Sequence, residues 1–185
     1  MNSFPNKQLG GKLYKMGHLS PLTLRLQLNR QGMSAIEMSV TFGCHCFTEE
    51  FKPNVHQEMH RYVYNGELRA FDVLRHECSL QLPQVIESLQ RGLIYNAQDQ
   101  SYTYVAHIVI ESLQGPQNYS VFFSLKKETR SESPALKMFV KSAYLKALVA
   151  KPNAQSWRFN ALAGHISGAF PPREKKPKPQ KKKAP

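Results

Sequence analysis

The chain has 185 residues, with 25 lysines and arginines against 13 carboxylates and a formal net charge of +12 at pH 7. This length fits one domain with a sizeable core, and the sequence has no apolar run of about 18 residues, the length that a membrane-spanning helix needs. The N-terminal residues lack the apolar stretch of a secretory signal, and three cysteines, Cys44, Cys46 and Cys78, are most simply reduced thiols. We therefore expect a cytoplasmic protein that makes no membrane contact.

The first strands are predicted between residues 22 and 47. Apolar and polar residues alternate from Leu22 to Asn29, which is the pattern of a half-buried strand. A second strand is predicted from Ile36 to Phe47, and the turn residues Gln31-Gly32 lie between the two. These strands should pair as a hairpin, preceded by an irregular lead-in over residues 1–18.

A helix is predicted over residues 71–90, because its apolar residues fall on a single stripe. Asp72 suits the N-cap, and Gly92 suits the position just after the C-terminus. Pro83 should kink this helix or split it. The preceding residues, 51–68, are predicted to form a loop with one helical turn.

Three strands are predicted after the helix, with Leu93–Asn96 as a further short candidate. They are rich in aromatic and β-branched residues and are bounded by turn residues: Tyr102–Ile110, Tyr119–Lys126 and Leu136–Tyr144. Their short connections favour an antiparallel meander. The expected fold class is α+β, with an N-terminal β-hairpin, one long and kinked or split helix, and an antiparallel sheet of three to four strands.

Residues 171–185 form a Lys- and Pro-rich tail beyond a single domain over residues 1–170. Seven lysines and arginines and one glutamate give this segment +6, half of the net charge of the chain. It has too few apolar residues to offset the entropy of ordering, so disorder is predicted. Such a cationic arm favours a polyanion, with RNA or the ribosome as the expected partner. A solubility tail or a localisation tag is the alternative.

A zinc site is the first chemical candidate, since Cys44, His45 and Cys46 precede two histidines, His56 and His60. Cysteine and histidine are the ligands that zinc prefers. The two thiols are nevertheless closer in sequence than in the usual zinc knuckle. We therefore predict no metal and no cofactor, and interpret the thiols as small buried side chains.

His45 is the candidate general acid or base, because histidine titrates near neutral pH and this one lies at a strand end. Thr48 follows it as a candidate substrate-binding residue. Arg75 lies on the first turn of the predicted helix, where a guanidinium could clamp a phosphate and stabilise charge that develops on it. The alternatives are a histidine bonded to a neighbour and a solvated helix face.

The last candidates lie on the meander. Ser142 and Tyr144 are predicted to continue the apolar face of their strand, and Lys126 and Lys127 lie on the strand before it. Together these groups could hold a phosphodiester, and a tyrosine can stack on a base. The alternative is a pair of core hydroxyl groups that are satisfied internally.

Four segments carry a resemblance to known proteins. They are Val-Thr-Phe-Gly-Cys-His-Cys-Phe-Thr-Glu, Leu-Arg-His-Glu-Cys-Ser-Leu-Gln-Leu-Pro, Tyr-Ser-Val-Phe-Phe-Ser-Leu and Phe-Val-Lys-Ser-Ala-Tyr-Leu. Over about residues 38–146 the chain resembles a group of poorly characterised proteobacterial proteins, some labelled as heat-shock or stationary-phase adaptation proteins. The order of helix and meander also resembles the RelE- and barnase-type toxin nuclease fold, by layout alone.

The family resemblance implies that five positions matter: His45, Thr48, Arg75, Ser142 and Tyr144. Where such proteins often have Arg-Tyr-Glu, this chain has Arg-His-Glu from Arg75 onwards. The tail lies outside the resemblance.

Three functions follow as expectations. The first is a metal-independent, toxin-type ribonuclease in which His45 is the acid or base, Arg75 stabilises the pentavalent phosphate, and Ser142 and Tyr144 orient the nucleotide. The second is a non-catalytic RNA- or ribosome-binding stress factor. The third is a protein-interaction module, an inhibitor or adaptor in plasmid or phage conflict. An antitoxin or another protein is then a further expected partner.

Overall fold

The computed structural model describes residues 4–30, 33–96, 104–112, 115–146 and 156–170. The predicted turn at Gln31-Gly32 and the predicted disorder of 171–185 lie outside these residues. The strands in the described ranges are β1 (Lys7–Leu9), β2 (Lys12–Tyr14), β3 (Leu22–Arg30), β4 (Met33–His45), β5 (Thr48–Glu50), β6 (Arg61–Tyr64), β7 (Glu67–Phe71), β8 (Leu93–Asn96), β9 (Tyr104–Ser112), β10 (Gly115–Lys127), β11 (Ala135–Leu145) and β12 (Ser156–Arg158). The α-helices there are α1 (Val73–Ser79), α2 (Leu82–Ser88) and α3 (Phe159–Ser167).

A seven-stranded mixed sheet is the centre of the fold, with the strand order β12-β8-β9-β10-β11-β4-β3. Neighbouring strands run antiparallel except β11 and β4, which are parallel. This parallel contact joins the predicted hairpin, β3–β4, to the predicted meander, β9–β11. Strands that are about a hundred residues apart in sequence therefore share one sheet.

The predicted layout of one long helix packed on a small antiparallel sheet is wrong. Most of the described structure is sheet, and the predicted 71–90 helix is two short helices, α1 and α2. Asp72 does cap α1, since its carboxylate accepts the Arg75 N–H at 3.0 Å. The break follows at Leu80 and Gln81, and Pro83 then lies in the first turn of α2, where its missing N–H cannot continue the hydrogen bonding of α1.

Two further β-structures lie where the sequence predicted a lead-in and a loop. The lead-in contains the β1–β2 hairpin. Residues 48–71 contain a three-stranded antiparallel sheet in the order β5-β7-β6, with a 3₁₀ turn at Glu58–His60. This small sheet follows directly after β4 and so lies beside the end of the central sheet that carries His45.

The central sheet curls around α3. Strands β12 and β3 are its two edges, yet both contact α3. Asn160 in the first turn of α3 donates from Nδ2 to the Gln27 carbonyl of β3 at 2.7 Å. On the same helix the buried ring of Phe159 lies 6.2 Å from that of Phe123 on β10. The sheet, α3, α1 and α2 all contribute buried side chains to one core cluster. None of the helices in the described ranges is long and apolar enough to cross a membrane.

Candidate functional site

Most of the predicted site residues meet at one end of the central sheet. His45 of β4 and Ser142 of β11 are register partners in the parallel pair. Thr48 begins β5, and two residues separate it from the end of β4. Arg75 of α1 places its guanidinium 4.8 Å from the centre of the Tyr144 ring. We call the set of His45, Thr48, Glu67, Arg69, Arg75, Ser142 and Tyr144 the His45 cluster.

A glycine permits the close approach of β4 and β11 at this end. A Cβ atom on Gly43 would lie 2.8 Å from the carbonyl oxygen of Lys141, which is shorter than a van der Waals contact. The register of β11 shifts at the same place, between Val140 and Ser142. The close approach of the two backbones and the irregular pairing therefore coincide at Gly43.

This irregularity changes the face on which Ser142 and Tyr144 lie. On β10, Val140 pairs with Phe123 but Ser142 pairs with Phe122, and successive strand residues point to opposite faces. Ser142 is therefore on the face opposite to Val140 instead of continuing the apolar stripe. Tyr144 stacks on Phe122 at 5.4 Å.

His45 forms an accessible pair with a carboxylate that the sequence analysis missed. Its Nε2 lies 2.9 Å from Glu67 Oε1, and the two side chains are 40% and 49% exposed. Arg69 donates from Nη1 to the same oxygen at 3.2 Å. Glu67 and Arg69 alternate along β7, so the sequence places them on one face, but it does not indicate that β7 lies beside His45.

Thr48 connects the parts of the cluster and is fully buried. Its hydroxyl donates to the Cys44 carbonyl at 2.7 Å and accepts from Arg69 Nε at 3.3 Å. Arg75 donates from Nη1 to the Thr48 carbonyl at 2.9 Å. Thr48 therefore joins β4, β7 and α1 through hydrogen bonds, and its hydroxyl is not presented to a substrate.

Carboxylates and a ring surround the Arg75 guanidinium. Glu49 Oε2 lies 3.9 Å from Nη2, and Asp72 Oδ2 lies 3.6 Å from Nε. With the Tyr144 ring beside it, Arg75 is 23% exposed, and Arg69 is 14% exposed. Both guanidiniums of the cluster are thus engaged within the protein.

Three donor groups of this region lie close enough to share a cation. The Cys44 thiol, the His45 imidazole and the Glu67 carboxylate have ligand atoms within 4.8 Å of one another. Burial, followed by the nearby Glu67, raises the pKa of the Cys44 thiol, which keeps it protonated. Arg69 already occupies the Glu67 oxygen that faces His45. The set is therefore a poor site for a divalent cation.

The other predicted zinc candidates have partners of their own. His56 Nε2 lies 2.8 Å from Glu49 Oε1, and its Nδ1 accepts from the Lys52 backbone. His60 Nδ1 accepts from the Gln57 backbone. Cys46 is buried, and burial raises the pKa of its thiol.

Lys126 and Lys127 lie away from the cluster. They pair with Lys137 and Leu136 of β11, which are about 17–20 Å from Ser142 along the strand at about 3.4 Å per residue. Lys127 Nζ instead lies beside Gly168, 3.2 Å from where a Cβ atom would be. A cation at this C-terminus of α3 complements the helix dipole.

The comparison with protein families gives one result. A profile of the YjaZ family matches residues 6–167. The chain belongs to the YjaZ family. The match covers the described fold and ends before the basic tail, so the resemblance found in the sequence is confirmed at the level of a family. Searches of curated proteins and of solved structures found no significant match. Nothing in the mixed seven-stranded sheet supports the resemblance to the RelE- and barnase-type fold.

Proposed function

We propose that the protein is a non-catalytic RNA-binding factor that acts in a stress response. The observation that carries this proposal is the charge distribution: the net charge is +12, and +6 of it belongs to the fifteen residues that follow Phe170. Lysines and arginines that meet a phosphate backbone release counterions, and this release supplies sequence-independent affinity. RNA or a ribosomal RNA surface is the ligand class that such a charge distribution favours.

The geometry of the His45 cluster favours binding over cleavage. Metal-independent cleavage needs a cation that is available to the charge developing on the phosphate. Arg69 and Arg75 are instead engaged with Thr48 and with carboxylates. Withdrawing either guanidinium from these contacts would leave a carbonyl and carboxylates without their partners, at a cost in stability.

One observation favours metal-independent ribonuclease activity as a second candidate. The His45–Glu67 pair is exposed, and the carboxylate orients the imidazole as in general-base sites. In this reaction His45 takes the proton of the ribose 2′-hydroxyl, and O2′ forms a bond to phosphorus. The bond to the 5′-oxygen breaks, and that oxygen takes a proton from water. The products are a 2′,3′-cyclic phosphate and a 5′-hydroxyl.

One assay separates these functions. A labelled single-stranded RNA is titrated with the full-length protein in EDTA, binding is read by anisotropy, and the same samples are run on a denaturing gel. We expect binding without cleavage. A variant with the seven tail bases changed to glutamine should bind more weakly, with a shallower salt dependence.

Two outcomes would overturn the proposal. Cleavage that disappears in His45→Ala while affinity is retained would establish the ribonuclease. Failure of the wild type to bind RNA would favour the protein-interaction module.

A further inference from the structure

A second region with two arginines is a cleft of about 540 Å³. It includes Gln27, which pairs with Ala35 of β4, ten residues before His45. It is bounded by the edge strand β3, the 3₁₀ turn at Leu89–Arg91, the start of α3, and Phe170. The cleft exists because the sheet curls until its two edge strands both reach α3. We call it the Arg91–Arg158 cleft.

Two arginines give this cleft its charge. Arg91 and Arg158 both line it and are exposed. Among the described residues, no carboxylate lines the cleft and none lies within ion-pairing distance of either guanidinium. Arg158 is the residue before Phe159 and pairs with Leu93, two residues after Arg91, so the two arginines enter the cleft from neighbouring backbone positions.

Amide groups fix the walls of the cleft. The Gln27 backbone N–H donates to Gln90 Oε1 at 3.3 Å, and the Gln27 carbonyl accepts from Asn160 Nδ2 at 2.7 Å. These bonds satisfy the backbone N–H and carbonyl of Gln27 and join β3 to the 3₁₀ turn and to α3. The backbone beside the two arginines is therefore held in place before a ligand binds. This limits the entropy that is lost on binding.

An aromatic residue, Phe170, also lines the cleft. Its backbone N–H donates to the Gly164 carbonyl at 2.9 Å. Its ring lies on Gly164, where a Cβ atom would come within 2.3 Å. The glycine thus permits the ring position, and a ring there can stack on a base. The basic segment 171–185 begins at the next residue.

We propose that the Arg91–Arg158 cleft binds the phosphodiester backbone of single-stranded RNA, with Phe170 against a base. The inference rests on the proposed function and names the site that performs it. Guanidiniums bind phosphate oxygens with two parallel hydrogen bonds, and the volume is that of a ligand pocket.

The test compares two double variants of the full-length chain that lose the same charge. The cleft variant carries Arg91→Gln and Arg158→Gln, which remove both cations of the cleft. The control variant carries Lys15→Gln and Arg130→Gln, which remove two exposed cations outside the cleft. Affinity for a fifteen-nucleotide single-stranded RNA is measured across a salt series for both variants and the wild type. Circular dichroism checks that each variant is folded.

We expect the cleft variant to bind about tenfold more weakly and the control variant about twofold. The salt slope of the cleft variant should fall by about 1.4, since each lost contact to a single strand removes about 0.7. If wild type binds RNA and both double variants lose the same amount of affinity, the cleft is not the binding site. The proposal that the protein binds RNA would remain. No binding by the wild type would overturn both.

A second measurement locates the ligand directly. NMR signals of the arginine Nε–H groups are recorded while a short oligouridylate is added. We expect shifts at Arg91 and Arg158 and no shift at Arg130. Shifts at Arg69 or Arg75 alone would place the RNA at the His45 cluster and contradict the proposal.

Discussion

Two regions of this protein each hold a pair of arginines, and the two pairs differ in what they contact. In the His45 cluster, Arg69 and Arg75 donate to a threonine and lie beside Glu49, Glu67 or Asp72. In the Arg91–Arg158 cleft, both guanidiniums are exposed and lack a carboxylate partner within the described chain. An arginine that is paired with groups of the protein stabilises the fold. An exposed arginine without a carboxylate partner is available to bind a ligand.

The positions of the carboxylates explain why the arginines of the two regions have different contacts. The acidic residues near Arg75 belong to β5 and to the N-cap of α1, which the small sheet brings beside β4. The cleft is instead built from amides, an alanine and a phenylalanine. The same residue type therefore has opposite expected roles in the two regions, and substitutions can separate these roles.

Arg75→Ala should have the largest effect on stability. It removes a charge-assisted hydrogen bond to Thr48 and the contact with the Tyr144 ring. From typical values for these two interactions we expect unfolding free energy to fall by about 2–4 kcal/mol. Urea unfolding followed by Trp157 fluorescence measures the change.

Arg91→Ala is the matched control for that experiment. Because Arg91 is exposed, its removal should change the unfolding free energy by less than about 0.5 kcal/mol while weakening RNA binding. If Arg75→Ala weakened RNA binding and left stability unchanged, the contrast between the two regions would be reversed.

Gly43→Ala should have the next largest effect, because it forces β4 away from β11 beneath the cluster. The new methyl group would meet the Lys141 carbonyl at 2.8 Å, and a backbone atom cannot swing aside. We expect a loss of about 1–3 kcal/mol by overpacking. Gly17→Ala is the control, since no atom lies within 4 Å of its Cβ position. Equal unfolding midpoints for Gly43→Ala and Gly17→Ala would show that β4 and β11 do not approach each other closely at Gly43.

Local patterns in the sequence predicted individual elements well. The alternation from Leu22 gave β3, and the turn-bounded aromatic runs gave β9, β10 and β11 with antiparallel pairing between neighbours. The Asp72 cap was also predicted correctly. Each of these depends on residues that are close in sequence.

The sequence did not predict what depends on distant contacts. The parallel pairing of β4 with β11 joins segments about a hundred residues apart, and no local pattern indicates it. The register shift that moves Ser142 to the other face depends on that pairing. The 51–68 segment lacks a long alternating run, so its sequence predicts a loop where the structure has β6 and the start of β7. The Arg91–Arg158 cleft, formed by curling of the sheet, was missed for the same reason.

A half-buried histidine, His18, tests whether polar groups that are hydrogen-bonded elsewhere in the protein also stabilise the fold. His18 Nε2 lies 2.8 Å from the Ser79 hydroxyl, and burial together with the nearby His76 lowers the pKa of His18 to about 4. The native state therefore keeps His18 neutral at pH values where the unfolded chain, with a pKa of about 6.5, binds a proton. Stability should be full above pH 6.5 and fall as the pH drops towards 4.

We expect the unfolding free energy to fall by about 1–2 kcal/mol. This is less than the full shift of the His18 pKa implies, because the imidazole is only partly buried. Urea unfolding at pH 7 and at pH 4.5 measures it. The difference between wild type and His18→Gln isolates this group from the carboxylates, which also titrate in the acid range. If the unfolding free energies of wild type and His18→Gln depend on pH in the same way, His18 is not the group that causes the loss.

His45→Ala should have the smallest effect on stability. Its pair with Glu67 is exposed on both sides, and such surface pairs contribute little because solvent screens them. We expect the unfolding free energy to change by less than about 0.5 kcal/mol in His45→Ala and in Glu67→Gln. A loss above about 1 kcal/mol in both variants would show that His45 is as structural as Arg75. If stability is unchanged, His45 can be removed without disturbing the hydrogen bonds that Arg69 and Arg75 make to Thr48. It is therefore the residue at which any loss of RNA cleavage can be interpreted as lost chemistry.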